Sequence, residues 1–258
     1  VTTGVAAGSV LDARGITVVF GGVCALDRVD FQVAPGECVG LIGPNGSGKT
    51  TLLSVVTGTL RPNAGRVRVC GVDVTGRGPR ASAQAGVIRV FQTVEVFPRL
   101  TVLDNLMVAR AHARDSLASL LRPRVAWPAW CLERAGALLE LVGLQEHALR
   151  PAGALSFGQQ RLLELAMGMM SDPRLLLLDE PTAGVNPGMR ARIVAALGCL
   201  HAAGTALVVV EHEVSVVFAL CSRVVVLDAG RVLAVGAPAE IQANEAVARA
   251  YLGQAAVP

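Results

Sequence analysis

The chain has 258 residues, 52% of them hydrophobic, and its 23 basic and 20 acidic side chains leave a formal net charge of +3. That length buries a sizeable core in one large domain or two small lobes, while a charge this small and dispersed does not by itself imply a nucleic-acid partner. Six cysteines with no C-x-x-C pair and mostly apolar neighbours read as reduced core thiols, excluding a disulfide framework or a zinc site.

Residues 1–15, VTTGVAAGSVLDARG, lack a basic start followed by a long apolar stretch, so no secretory signal is read and the cytoplasm is the expected compartment. The apolar run ECVGLIG at 37–43 suits a buried strand, and TTLLSVVTG at 50–58 has helical spacing with a closing glycine. Between them stands GPNGSGKT, whose Lys49 is the only lysine in the chain. Strand, glycine-rich loop and helix form the setting that G-x-x-x-x-G-K-[ST] requires: successive backbone N–H groups face a phosphate chain at a helix N-terminus. Lys49 supplies a compact charge to the β and γ phosphates and Thr50 a hydroxyl for Mg2+. Arginine's planar fork does not fit the same cradle, which accounts for a lysine in a chain that otherwise uses arginine.

Farther along, a helical lobe begins near VEVFPRLTVLDNLMVARAH at 94–112, where Thr101 followed by Asp104 caps a helix with apolar residues at helical spacing. The segment 114–136 holds Trp127 and Trp130 near Arg122 and Arg124; prolines 123 and 128 break any long amphipathic helix, so a loop pinned by packed indoles is favoured over a lipid contact. LLLLDEP at 175–181 gives a buried parallel strand ending in Asp179, which suits Mg2+, and Glu180, which suits a water. The run 193–210 is the nearest approach to a membrane span, but HAAGT at its middle suits a helix ending at Gly204 followed by a strand. A short helical tail is expected at 237–253, where Tyr251 packs.

With LSFGQQ at 155–160 between the phosphate loop and the acidic strand, and His212 after both, the chain resembles the nucleotide-binding subunit of an ATP-binding cassette (ABC) transporter over nearly its whole length. The resemblance implies an α/β P-loop core with a mixed sheet (residues 1–91 and 166–258) and an inserted α-helical lobe (92–165). It implies that Gly43, Pro44, Asn45, Gly46, Ser47, Gly48, Lys49, Thr50 and Thr51 cradle ATP, and that Phe20 stacks on adenine, a core strand position being its alternative. Gln92 is expected to sense Mg2+ and the γ-phosphate, with Thr50 and Asp179 as the other metal groups. Ser156, Gly158 and Gln159 match the motif that closes over ATP held by a second subunit, with Phe157 where a glycine is commoner. Asn186 in AGVNP stands where many relatives carry aspartate, and His212 matches the residue that contacts the γ-phosphate. Glu180, His212, Gln92 and Lys49 are thus the expected catalytic set.

Within the family, FQTVEVFPRLTVLDNL, LSFGQQRLLEL, LDEPTAGVNP and the late YLG are most similar to the ATPase subunits of branched-chain amino-acid importers. Arg161 is followed by Leu162 where relatives carry a second basic residue. The resemblance implies a peripheral subunit on the cytoplasmic face of the membrane. Its partners are integral-membrane permease subunits, a second nucleotide-binding subunit and, indirectly, a periplasmic or lipid-anchored solute-binding protein; no nucleic-acid partner is expected. Residues 94–100, with Phe97, are expected at the permease contact. The alternative is a soluble cassette ATPase acting on DNA or the ribosome, which would carry a coiled coil, a second cassette or basic linkers.

Overall fold

Alternation along the strands sorts the chain into two cores. In the computed structural model, which describes residues 8–91, 93–114 and 127–252, β1 (Leu11–Phe20), β2 (Val23–Val33), β4 (Ala64–Val69) and β5 (Val72–Asp73) form an antiparallel sheet ordered β2-β1-β4-β5. A second sheet contains β3 (Cys38–Ile42), β6 (Val87–Val90), β7 (Leu175–Asp179), β8 (Ala206–Val210), β9 (Arg223–Asp228) and β10 (Arg231–Gly236), ordered β10-β9-β3-β8-β7-β6. Its neighbours are parallel except β10, which runs antiparallel to β9.

The parallel strands are buried on both faces, as continuous apolar runs require. On β7, Leu175 and Leu177 join the core shared with the antiparallel sheet and α1 (Lys49–Val56), while Leu176 and Leu178 join the core under the helices. On β3, Val39 and Leu41 face the first core, Cys38 and Ile42 the second. Gly40 faces the second core too, and the reason is close approach: a Cβ there would lie 2.2 Å from a methyl of Val217.

After α2 (Pro79–Ala85) and β6 come α3 (Val102–Arg114), α4 (Ala129–Leu141) and α5 (Phe157–Met169), all before β7. The cap read at α3 forms: the Asp104 N–H bonds to Thr101 Oγ1 at 3.1 Å, and Thr101 Oγ1–H donates to Asp104 Oδ2 at 2.7 Å. Residues 193–210 divide as expected into α6 (Pro187–Ala202) and β8, with Gly204 at φ +91° between them. Among the described residues no helix is long and apolar enough to cross a membrane. After α7 (Val214–Leu220), β9 and β10, the tail is two helices, α8 (Pro238–Gln242) and α9 (Glu245–Leu252). Asn244 Oδ1 accepts from the Ala246 N–H at 2.9 Å and caps the second. Tyr251 packs on the helix-side core.

Two expectations are corrected. The cysteines are not uniformly core residues: Cys38, Cys131 and Cys221 are buried, but Cys24, Cys70 and Cys199 are exposed. Trp130 lies on α4, half exposed, with the Arg110 guanidinium 4.9 Å from its ring; Trp127 packs against the core. Arg122, Pro123 and Arg124 lie outside the described residues.

Candidate nucleotide site

Three parallel strands end at one edge of the sheet, and their order brings three distant motifs together. β3 runs into the glycine loop, β7 ends on Asp179 with Glu180 next, and β8, which lies between them, runs into Glu211 and His212. Such a carboxyl edge is where open α/β sheets bind ligands. A cleft of about 190 Å³ there is lined by Asn45, Gly46, Ser47, Gly48, Lys49, Thr50, Thr51, Glu180 and His212, with Ala25 and Val210.

The loop is built around its glycines and lysine. Gly48, which caps α1 at φ +104°, leaves no room for a side chain: a Cβ would lie 2.7 Å from the Ala25 carbonyl oxygen. Lys49 curls back, its Nζ donating to the carbonyls of Gly43 at 2.7 Å and Pro44 at 2.8 Å. Burial pulls the Lys49 ammonium below the usual lysine range, against the opposing pull of Glu180 and Asp179. Ser47 Oγ is buried without a hydrogen-bond partner among the described residues, a polar group aimed at nothing the protein itself supplies.

Glu180 occupies φ +52°, a left-handed backbone that costs a non-glycine residue about 1–2 kcal/mol. Its N–H bonds to the Val210 carbonyl at 2.8 Å, and its carboxylate Oε1 stands 2.7 Å from His212 Nε2. Glu211, missed in the sequence, holds this turn from below. Its buried Oε1 accepts from Thr182 N at 2.8 Å and Thr182 Oγ1 at 2.7 Å. Burial raises the Glu211 carboxyl above the ordinary range, with the Thr182 bonds opposing. The available signal was the second acid in VVVEHE, flanking His212. Arg89 is the other residue missed: its Nη2 bonds to Asp179 Oδ2 at 2.5 Å, both side chains being buried, and its Nη1 donates to Ser54 Oγ at 3.2 Å.

The remaining predicted residues lie elsewhere. Phe20 ends β1 half exposed beside exposed Val19 and Val23, which removes its core alternative. Gln92 lies outside the described residues. Ser156 and Gln159 close a capping box on α5, with Ser156 N donating to Gln159 Oε1 at 2.9 Å and Gln159 N to Ser156 Oγ at 3.4 Å. Gly158 is required by packing, since a Cβ there would lie 2.3 Å from Met189 of α6. Asn186 caps α6 by accepting from Met189 N at 2.9 Å, a duty asparagine and aspartate perform equally. None of Ser156, Gly158 or Gln159 lines the cleft.

A phosphate-loop cleft with a carboxylate–histidine pair at a parallel sheet edge defines a nucleoside-triphosphate hydrolase. Residues 26–183, more than half of the chain, match the family model described as ABC transporter, and residues 231–257 match that described as branched-chain amino acid ATP-binding cassette transporter. The chain belongs to the ABC transporter family, as an ATP-binding cassette ATPase. It is 38% identical over 255 residues to the high-affinity branched-chain amino acid transport ATP-binding protein BraF of Pseudomonas aeruginosa, covering 95% of this chain and 98% of that one. It is also 38% identical over 252 residues to LivG of Escherichia coli, of the same description, at 95% and 98% coverage. Among solved structures, an ATP-binding cassette of an ABC transporter in its ADP conformation superposes with a TM-score of 0.85 at 32% identity, covering 95% of this chain and 99% of that one.

Proposed function

We propose that this chain is the ATP-hydrolysing subunit of an importer for branched-chain amino acids or related small polar solutes, seated on the cytoplasmic face of the membrane against permease subunits. The observation that carries the solute class is the match of the C-terminal residues to the branched-chain amino-acid model, together with near full-length likeness to BraF and LivG.

In this reading Lys49 exchanges the carbonyls of Gly43 and Pro44 for the β and γ phosphates of ATP, and the loop N–H groups take the remaining phosphate oxygens. Phe20 stacks on the adenine. Glu180 accepts a proton from the attacking water and His212, 2.7 Å from it, holds that water in line and contacts the γ-phosphate. The residues present suit Mg2+. Thr50 and Asp179 offer the hard oxygen donors that Mg2+ takes alongside phosphates and water. When bound, Mg2+ would be held by Thr50 and Asp179 with Gln92 as a further donor, and would supply positive charge against the phosphates of ATP.

Ser156 and the Gly158 amide lie away from their own cleft, so each protomer carries half of a second site, and two subunits close face to face on two ATP molecules. Residues 92–165 act as the helical lobe that carries this half. Hydrolysis weakens the closure and reopens the pair, the two-state element that drives transport. The test is affinity purification of the Glu180→Gln protein with Mg-ATP from solubilised membranes of its host. Co-purifying integral-membrane subunits and an amino-acid-binding protein are expected; recovery with ribosomes or DNA-repair proteins instead would overturn the reading.

A further inference from the structure

Two charged side chains are buried on α5 and serve no step above. Arg161 is 2% exposed and is among the largest fully buried side chains of the described chain. Its Nη1 donates to the Phe91 carbonyl at 2.6 Å and pairs with Glu164 Oε2 at 3.2 Å. Glu164 Oε1 in turn accepts from the Glu95 N–H at 3.4 Å. One ion pair therefore grips the backbone on both sides of position 92, from a helix whose first turn carries the LSFGQQ residues. Apolar side chains of similar volume would fill this space at lower desolvation cost, so a charged pair bonded to two backbone groups has a use beyond filling.

The contacts continue in both directions. Toward the cleft, the Phe91 ring lies 4.9 Å from the Arg89 guanidinium, which holds Asp179. Toward the LSFGQQ surface, the Arg161 guanidinium lies 5.7 Å from the half-exposed Phe157 ring. That ring sits over Gly184 in the loop before α6, where a Cβ would lie 3.4 Å from it. A set of packed and hydrogen-bonded groups thus joins Asp179, beneath one nucleotide site, to Phe157 within the LSFGQQ motif and to Gly184 beside it.

We propose that Arg161, supported by Glu164, is a positioning residue that fastens the 91–95 segment to the LSFGQQ helix, so that occupancy of a protomer's own site sets the pose of the half-site it presents to its partner. This rests on the two-subunit reading above. The test places Arg161→Met with Glu164→Gln in the full-length Glu180→Gln protein, the double change leaving no buried charge unpaired. Two quantities are measured: binding of TNP-ATP without Mg2+, which uses only a protomer's own loop, and the ATP concentration giving half-maximal dimer by analytical ultracentrifugation.

TNP-ATP affinity is expected within about twofold of the parent, while the ATP needed for dimer rises about tenfold or more, within the usual range of inter-site coupling. Arg161→Lys alone, which retains a charge for Glu164 and a donor for Phe91, is expected to recover part of the shift. Dimer formation at the parent's ATP concentration would overturn the proposal. So would loss of TNP-ATP binding, which would make the pair a support of the whole fold. A Glu180→Gln parent that stays monomeric at saturating ATP would instead remove the two-subunit reading, and the proposal with it, before any Arg161 variant is compared.

Discussion

Glu180 Oε1 and His212 Nε2 lie 2.7 Å apart although they follow different strands, Glu180 one residue after β7 and His212 two residues after β8. The two strands are parallel neighbours with Asp179 opposite Val210, so the register brings the turns that leave them, Glu180 on one and Glu211–His212 on the other, to the same edge of the sheet. Replacing Glu180 with Gln keeps the shape and removes the proton acceptor. We expect kcat for ATP to fall about 100-fold or more with TNP-ATP affinity unchanged. His212→Ala should lower kcat by a similar order. A variant retaining more than a tenth of the wild-type kcat would take its residue out of the chemical step.

Glu211 makes a separate prediction, because it touches the turn and not the cleft. Glu211→Ala leaves the buried Thr182 N–H and hydroxyl without their acceptor, which costs about 1–3 kcal/mol for an unsatisfied group. Urea unfolding should show that loss, and kcat should fall about tenfold as Glu180 loses its support, on the usual cost of misplaced catalytic groups. Glu211→Gln keeps an acceptor for Thr182 and should retain most of the stability. Equal losses in both variants would show that the charge, and not the Thr182 bonds, is what matters.

The close approach of α7 to β3 at Gly40 can be tested through stability alone. Gly40→Ala forces the Val217 side chain, 2.2 Å from the added carbon, out of its place in a packed core, an overpacking cost of about 1–3 kcal/mol. The thermal midpoint should drop by several degrees. Combining it with Val217→Ala should recover part of the drop, and no recovery would place the strain elsewhere.

Glu164 gives the chain a stability term that depends on pH. Burial raises its carboxyl to about 7, against the opposing attraction of Arg161, the Glu95 N–H bond and the Arg161 hydrogen bond, with the Glu95 carboxylate reinforcing the rise. The folded protein therefore holds this proton more tightly than the unfolded chain, whose carboxyl titrates near 4.5. Stability from this group is fully present below pH about 4.5 and is lost as pH rises through about 7. Glu164→Gln, neutral at every pH, should remove that slope: the melting-temperature difference between wild type and variant should move in the variant's favour from pH 4.5 to 7. A constant difference across this window would mean that Glu164 is ionised throughout.

Residues close in sequence were the legible part of this protein. The phosphate loop and the acidic strand end are each contiguous, and their chemistry follows from residue type and spacing, because a phosphate loop at a helix N-terminus closes within a few residues. The helix–strand division at Gly204 was legible for the same reason. The LSFGQQ turn is contiguous too, but its role came from the resemblance to the family.

Partnerships across the chain were decided only by the tertiary structure. Arg89 meets Asp179 across 90 positions, Arg161 meets the Phe91 carbonyl across 70, and Glu211 meets Thr182 across 29. Arginines are abundant here, 22 of the 23 basic residues, so no composition or period marks which of them is to be buried. The cysteines show the same limit, since apolar neighbours did not separate buried Cys38 from exposed Cys70. Strand order and register choose these partners, and they follow from how two buried faces of one sheet are covered at once, a property of the packed whole that no local stretch contains.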